Sequence, residues 1–589
     1  MKSRAVWRIL LAFALLNYCA LRAVPQHKPD EQDRFVAFIP MRDGVHLAAD
    51  VYLPEENELP RVARHGGMRW PAVLVRTPYS RRAKSLRSYL YFTRRGYALV
   101  AEDVRGRYGS EGTFSLIDQE GPDGDDTIDW IARQSWSNGH VAMAGGPYLG
   151  MTQWWAAVQD NPHLDAISPM CSGDDEYLDR FYSPGGALKL GHRLLWLAQN
   201  LRPRLQPPIL FSSYADHLPL RTADVAATHR VLPVWQNALN HPSDDAFWKK
   251  LSIRERTTRI SAAVLSLGGW FDNYAESDLD AFSRLAVEHR PVETWMGPWA
   301  HNPATTFPTR DFGPKADLPI RRMQAEWFDR WLNPSKGDGA AFRPTLHVFV
   351  MGPNVWREEH EWPLARTRYT PVYLNSRGHA NTVRGDGTLQ WGPAGESKPD
   401  TFIYDPKNPV PTTGGSICCD PKILPPGPLD QAAVEQRSDV LVYTSPPLHE
   451  DIEMTGPVRA ILYVATSAND TDFTAKVVDV APNGRALLVT DGIQRLRYRL
   501  SLLHPVFVKR NAAYQVSIDA GVTSYVFGRG HRLRVEVSSS NFPRFDRNLN
   551  STRPNADVTK IIKARQTVFH NTRYPSAVVL PVIPSKSGK

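Results

Sequence analysis

The sequence predicts an α/β domain, in which a mainly parallel sheet carries helices on both faces, followed by an all-β sandwich. Three observations lead there. Short apolar runs alternate with helical periodicity over 34–173 and again over 260–335, the pattern of βαβ units. Between 174 and 259 the strand signal disappears, and Leu-rich helical stretches carry Trp196, Trp235 and Trp248, which reads as an inserted helical cap. Over 340–589 helical signals almost vanish. Short alternating runs such as 346–351 and 532–537 are separated there by Gly, Pro and Asn, as in a β-sandwich.

The elements follow in order. Residues 34–54 are two alternating runs about Asp43-Gly44, a β-hairpin signal. A strand at 71–76 precedes a helix carrying Leu86, Leu90, Tyr91 and Phe92, and a second strand covers 97–101. Helical spacing returns at 126–132, and the apolar run 139–144 is a buried strand. After the cap, strands resume at 262–269 and 292–298. No internal repeat or low-complexity tract interrupts the chain.

The run Ala144-Gly145-Gly146-Pro147-Tyr148-Leu149-Gly150 lies between a strand and the start of a helix at 151–157. This is the layout of a nucleophile elbow, small-x-Ser-x-small, in an α/β-hydrolase. Here position 147 is proline. An elbow nucleophile holds a strained, positive-φ backbone, whereas proline is fixed near φ of about −65°. Pro147 therefore removes the nucleophile and relaxes the turn that would aim it. No nearby Ser or Cys replaces it, and Thr152 lies down the helix. Asp272 follows the strand ending at Gly268-Gly269, and His301 follows the next strand within Gly297-Pro298-Trp299-Ala300-His301. Nucleophile, acid, histidine is the chain order of this fold. Asp272 would fix the imidazole tautomer, and His301 would take the nucleophile's proton.

Several motifs in series resemble the family of cocaine esterase, α-amino acid ester hydrolases and X-prolyl dipeptidyl peptidases. They are Met41-Arg42-Asp43-Gly44, Thr77-Pro78-Tyr79, the Asp103-Val104-Arg105-Gly106 loop, Gly268-Gly269-Trp270-Phe271-Asp272 and the His301 segment. Gly530-His531-Arg532 and Asn541-Phe542-Pro543-Arg544 complete the series. The resemblance implies a C-terminal jelly roll and places the nucleophile on Pro147, the acid on Asp272 and the base on His301. It implies an oxyanion hole from the Tyr79 hydroxyl and the Tyr148 backbone N–H, and small ester, amide or peptide substrates. The amino-ester branch holds a substrate ammonium with acids near the catalytic Asp. Here Asn273-Tyr274-Ala275 follow it and Glu276 is the first acid, which argues against an amino-acid ester. The cap's Asp174 and Asp175 could supply such charge, although residues of this kind are more often solvated helix ends.

Composition bounds the rest. At 589 residues the chain is too long for one core. The net charge of +9 is spread without a basic block, so no nucleic-acid partner is expected. Lys2, Arg4 and Arg8, the apolar run 9–16 and Ala23 read as a secretory signal over 1–23. That implies a secreted or periplasmic protein without stable membrane association; the alternative is an uncleaved anchor. Cys19 leaves with the signal. Of the three remaining cysteines, Cys171 can pair with Cys418 or Cys419, and a bridge between the adjacent pair is the rarer alternative. No metal spacing appears, and no cofactor is expected. The oligomeric state stays open. Two functional readings follow: a hydrolase-fold protein impaired by Pro147, catalytically weak or binding only, or an active serine hydrolase whose gene carries serine at 147. Serine and proline codons can differ by one base.

Overall fold

The computed structural model describes residues 34–54, 69–203, 205–332, 342–393 and 395–584, and the expected signal over 1–23 lies outside them. Among the described residues no helix is long and apolar enough to cross a membrane. The first domain is built on a ten-stranded sheet. Its edge is the expected hairpin, β1 (Arg34–Pro40) with β2 (His46–Tyr52), turning at Gly44 with φ +84°. Then come β3 (Trp70–Thr77), β4 (Ala98–Asp103), β5 (Ser137–Gly145), β6 (Leu164–Pro169), β7 (Ala263–Gly269) and β8 (Val292–Gly297). The spatial order β1-β2-β4-β3-β5-β6-β7-β8 runs parallel from β4 onward. These strands read as unbroken apolar runs because both faces are covered: Ala72 and Leu74 enter one core, Val73 and Val75 the other.

The helix expected around Leu86 to Phe92 is a 3-10 helix over Lys84–Tyr91. One expectation needs correcting. The run expected to open the sandwich instead extends the first sheet. After a small hairpin, β9 (Thr306–Phe307) with β10 (Arg310–Asp311), strand β11 (Thr345–Val350) adds parallel to β8. Strand β12 (Val355–Glu359) closes that edge antiparallel. Leu346, Val348, Phe349 and Val350 are all buried, so the run has two buried faces, and periodicity cannot say which sheet supplies the neighbour.

Helices Leu190–Leu201, Ala223–Thr228 and Pro233–Asn240 lie between β6 and β7 and pack around Trp235 and Trp248. The remainder is an eleven-stranded, mostly antiparallel sandwich in which Ile452–Thr466 and Tyr514–Phe527 pair along most of their length. Its core is continuous with one face of the first sheet. Helical segment and sandwich are also bonded directly. Leu188 N donates to Asp546 Oδ1 (2.8 Å), Arg495 N to the Gly185 carbonyl (2.9 Å) and Gly191 N to the Pro543 carbonyl (2.8 Å). A Cβ on Gly185 would lie 2.0 Å from the Ile493 carbonyl oxygen, so this loop sits flush on the sandwich.

Beneath the sheet's carboxyl edge lies a fully buried ion cluster. Arg76 on β3 donates from Nε to Glu102 Oε1 (2.7 Å) on its register neighbour in β4. Its Nη1 reaches Glu120 Oε2 (2.8 Å) and the Glu120 carbonyl (2.7 Å) at the start of helix Glu120–Ala132. Thr127 Oγ1 donates to Glu102 Oε2 (2.6 Å) and the Tyr148 hydroxyl to Glu120 Oε1 (2.7 Å). Burial pushes the Glu120 carboxyl up to about 7, against the pull of Arg76. Removing one partner of such a cluster strands the others. Arg76→Met is expected to cost about 3–5 kcal/mol of stability at pH 8. A carboxyl raised in the fold contributes stability that is present below its unfolded pKa of about 4.3 and lost as pH rises through the folded value. Denaturant melts of the variant should therefore show a smaller deficit at pH 5 than at pH 8.

Candidate active site

The segment after β5 has the sharp strand-to-helix connection of an elbow without its strain. Pro147 caps helix Tyr148–Ala157 with φ −74° and ψ −45°, ordinary helical values. Its carbonyl accepts from Gly150 N (3.1 Å) and Met151 N (3.0 Å). The positive φ falls at Gly145 (+140°). Close packing does the rest: a Cβ on Gly146 would stand 2.4 Å from the Met170 carbonyl oxygen. Gln153 ties helix to sheet, donating to the Gly145 carbonyl (3.0 Å) and accepting from Ser168 N (2.8 Å).

Asp272 and His301 sit on adjacent connections after β7 and β8. Trp270 N donates to the Gly297 carbonyl and Phe271 N to the Trp299 carbonyl, both at 2.9 Å. This laces the two loops together. His301 Nδ1 stands 3.0 Å from Asp272 Oδ1, with Asp272 buried behind it. His301 makes no other side-chain hydrogen bond among the described residues, so Nε2 is free to act. Behind Asp272, burial and the Asp272 charge push the Cys171 thiol well above its usual range. Cys171 is free, and the bridge joins Cys418 to Cys419. Of the pairings left open by the sequence, the rarest forms: the Cys171 amide is bonded to the Leu267 carbonyl, while Cys419 lies against the cap helix at His192.

Tyr79, Pro147, Tyr148 and His301 line one cavity of about 280 Å³. Trp196 Nε1 donates to the Tyr79 hydroxyl oxygen (3.0 Å). The phenol proton is thus left to point elsewhere, and burial raises the phenol's pKa so that it remains a donor. The Tyr148 ring stacks on Trp196 (6.2 Å, 5° between planes). The Tyr148 N–H is a first-turn amide with no intrahelical acceptor. Both tyrosines line the cavity beside Pro147.

The roof is what the sequence hid. Trp196, His192 and Arg193 come from helix Leu190–Leu201, Arg180 from the turn before it, and the Cys418–Cys419 bridge from the sandwich side. Adjacency of the two cysteines was visible in the sequence; nothing marked the arginines. Asp174 and Asp175 are buried, not solvated: Asp174 pairs with Arg284, and Asp175 Oδ1 accepts from Leu178 N (2.9 Å). Glu276 faces a separate small cavity beyond Asp272, where burial and Asp519 push its carboxyl up to about 8. A carboxyl protonated near neutrality is a poor anchor for an ammonium group.

A buried acid–histidine pair beside a sharp strand-to-helix connection, on a parallel sheet with a β-sandwich behind it, defines an α/β-hydrolase of the serine-hydrolase type. The family model for X-Pro dipeptidyl-peptidase (S15 family) matches residues 43–303, and that for the X-Pro dipeptidyl-peptidase C-terminal non-catalytic domain matches 339–579. The chain belongs to this S15 hydrolase family, which acts on esters or peptides. It is 38% identical over 579 residues to the cocaine esterase of Rhodococcus sp. (strain MB1 Bresler), covering 92% of this chain and 97% of that protein. Two solved structures are each 25% identical and cover 96% of this chain. One is an aminopeptidase from a marine sediment archaeon, Thaumarchaeota archaeon (TM-score 0.80, 99% of that chain). The other is an α-amino acid ester hydrolase (TM-score 0.78, 100% of that chain).

Because the Gly146 position meets backbone, not a flexible side chain, Gly146→Ala should lower stability by about 1–3 kcal/mol. The shift of the urea midpoint measures it; an unchanged midpoint would show that the elbow is looser than its contacts indicate.

Proposed function

We propose that this chain is an acyl ester, amide or peptide hydrolase in lineage, catalytically impaired by proline at the nucleophile position. The observation that carries this reading is the Asp272–His301 hydrogen bond, its imidazole facing the cavity that Pro147 also lines. The base is poised, and no hydroxyl is present at position 147 for it to deprotonate. The helical φ and ψ of Pro147 add to the loss, since the strained turn is gone as well. The intact Trp196–Tyr79 bond favours a change limited to the nucleophile. That is the specific support for the second reading, an active enzyme whose gene carries serine at 147. We also propose secretion or a periplasmic location through the signal at 1–23. The Cys418–Cys419 bridge suits an oxidising compartment, and amino-terminal sequencing of exported protein should begin after residue 23.

The purified protein should turn over 4-nitrophenyl acetate only marginally above background and resist fluorophosphonate labelling at position 147. Residual catalysis can come from binding and the oxyanion donors. Pro147→Ser should restore esterase activity and labelling, since serine supplies Oγ and lifts the φ restriction. Asp272→Asn in that background should then cost about 10⁴ in kcat through the wrong imidazole tautomer. A folded Pro147→Ser protein without an acyl-enzyme would overturn the impaired-nucleophile reading in favour of a binding-only protein.

A further inference from the structure

The cavity over Pro147 holds a positive charge that the hydrolase reading does not use. Arg193 is 3% exposed, and its Nε and Nη2 have no hydrogen-bond partner. Its guanidinium lies over aromatic rings, 4.4 Å from the Phe181 centroid and 5.2 Å from that of Trp196. The neighbouring Arg180 is committed: it pairs with Glu176 and donates from Nη2 to the Ser172 carbonyl (2.6 Å). Glu176 and Asp179 both act on Arg180, whereas Glu176, already paired with Arg180, is the acid that acts on Arg193, so Arg193 keeps its positive charge without an ion-pair partner of its own. His192 adds none, because burial together with Arg193 and Lys189 drives its imidazole far below its usual pKa. Burial even lowers the pKa of Arg193 itself.

A buried guanidinium with two vacant N–H groups is costly, since it has lost water and gained no acceptor. Its fork matches a carboxylate, which can take both N–H groups at once. The same cavity is lined by Tyr79 and by Tyr148, the first residue of its helix, where the helix dipole favours negative charge. We propose that this cavity is a binding site for a small organic carboxylate, with Arg193 as its anchor. The ligand's apolar body would lie against Trp196 and Tyr148. Binding needs no nucleophile, so it is read on the protein with Pro147 in place, and its outcome is independent of whether serine restores hydrolysis.

Calorimetric titration with benzoate, and with benzamide as its uncharged counterpart, tests the assignment on the unaltered protein. Benzoate should bind at least about tenfold more tightly than benzamide. Arg193→Met, which keeps an unbranched apolar stem against Phe181 and Trp196, should abolish that preference. It should also leave the melting temperature unchanged or raised, because it removes an uncompensated buried charge. Benzoate binding no better than benzamide overturns the proposal, and that comparison requires no variant. So does Arg193→Met retaining the preference, or melting several degrees lower, which would make Arg193 a structural residue.

Discussion

The Arg76 cluster is the interaction on which the site depends. Arg76 and Glu102 are neighbours on parallel strands, so their bond reports the register of the sheet's centre. Glu120 carries that register to the first turn of the following helix, and its second oxygen accepts from Tyr148. Tyr148, which lines the cavity, is thus held by its own side chain to a charge pair buried under the sheet. Taking these ions out of water is costly, and the return is positional: strand, helix and elbow cannot slide independently. Gln153 does for the far side of the elbow what Tyr148 does for the near side. The frame of the site is therefore held independently of the side chain at position 147.

How much was legible in the sequence follows from where each determinant lies. The β1–β2 hairpin and the strands β3 to β8 were readable because alternation, apolar runs and Asp43-Gly44 are local signals. Asp272 and His301 were readable because each follows a strand within a short motif. The placement of β11 was not, because a strand buried on both faces fits either sheet, and only tertiary contact with β8 decides. The turn at 84–91 kept its apolar residues while tightening to 3-10 geometry. The Cys418–Cys419 bridge was not readable because the sequence does not show that Cys171 is sealed behind Asp272. Arg193 left no trace at all. An arginine in an amphipathic helix looks like any solvated one until its neighbours are known.

Pro147 illustrates how a local rule can be overruled in function without being broken in structure. Proline at the cap of a helix is conformationally comfortable, and here it takes values that any helix start would accept. Folding therefore imposes no penalty for the exchange. Under the proposed reading the cost is borne by the chemistry: the Asp272–His301 pair meets a cavity in which residue 147 offers no hydroxyl.

The roof of the cavity belongs to two parts of the chain at once. Its helix is tied down at Gly185, Leu188 and Gly191, and further out Arg221 Nε meets Asp557 Oδ1 at 2.8 Å while Arg547 reaches the Asp216 carbonyl at 2.6 Å. Helical segment and sandwich consequently behave as one vault. Bonds from both parts hold the ceiling in place over the cavity. This means that the carboxyl-terminal third of the chain, though it supplies none of the reacting groups, is part of the chamber: a protein cut before the sandwich would lose the chamber's ceiling along with its support.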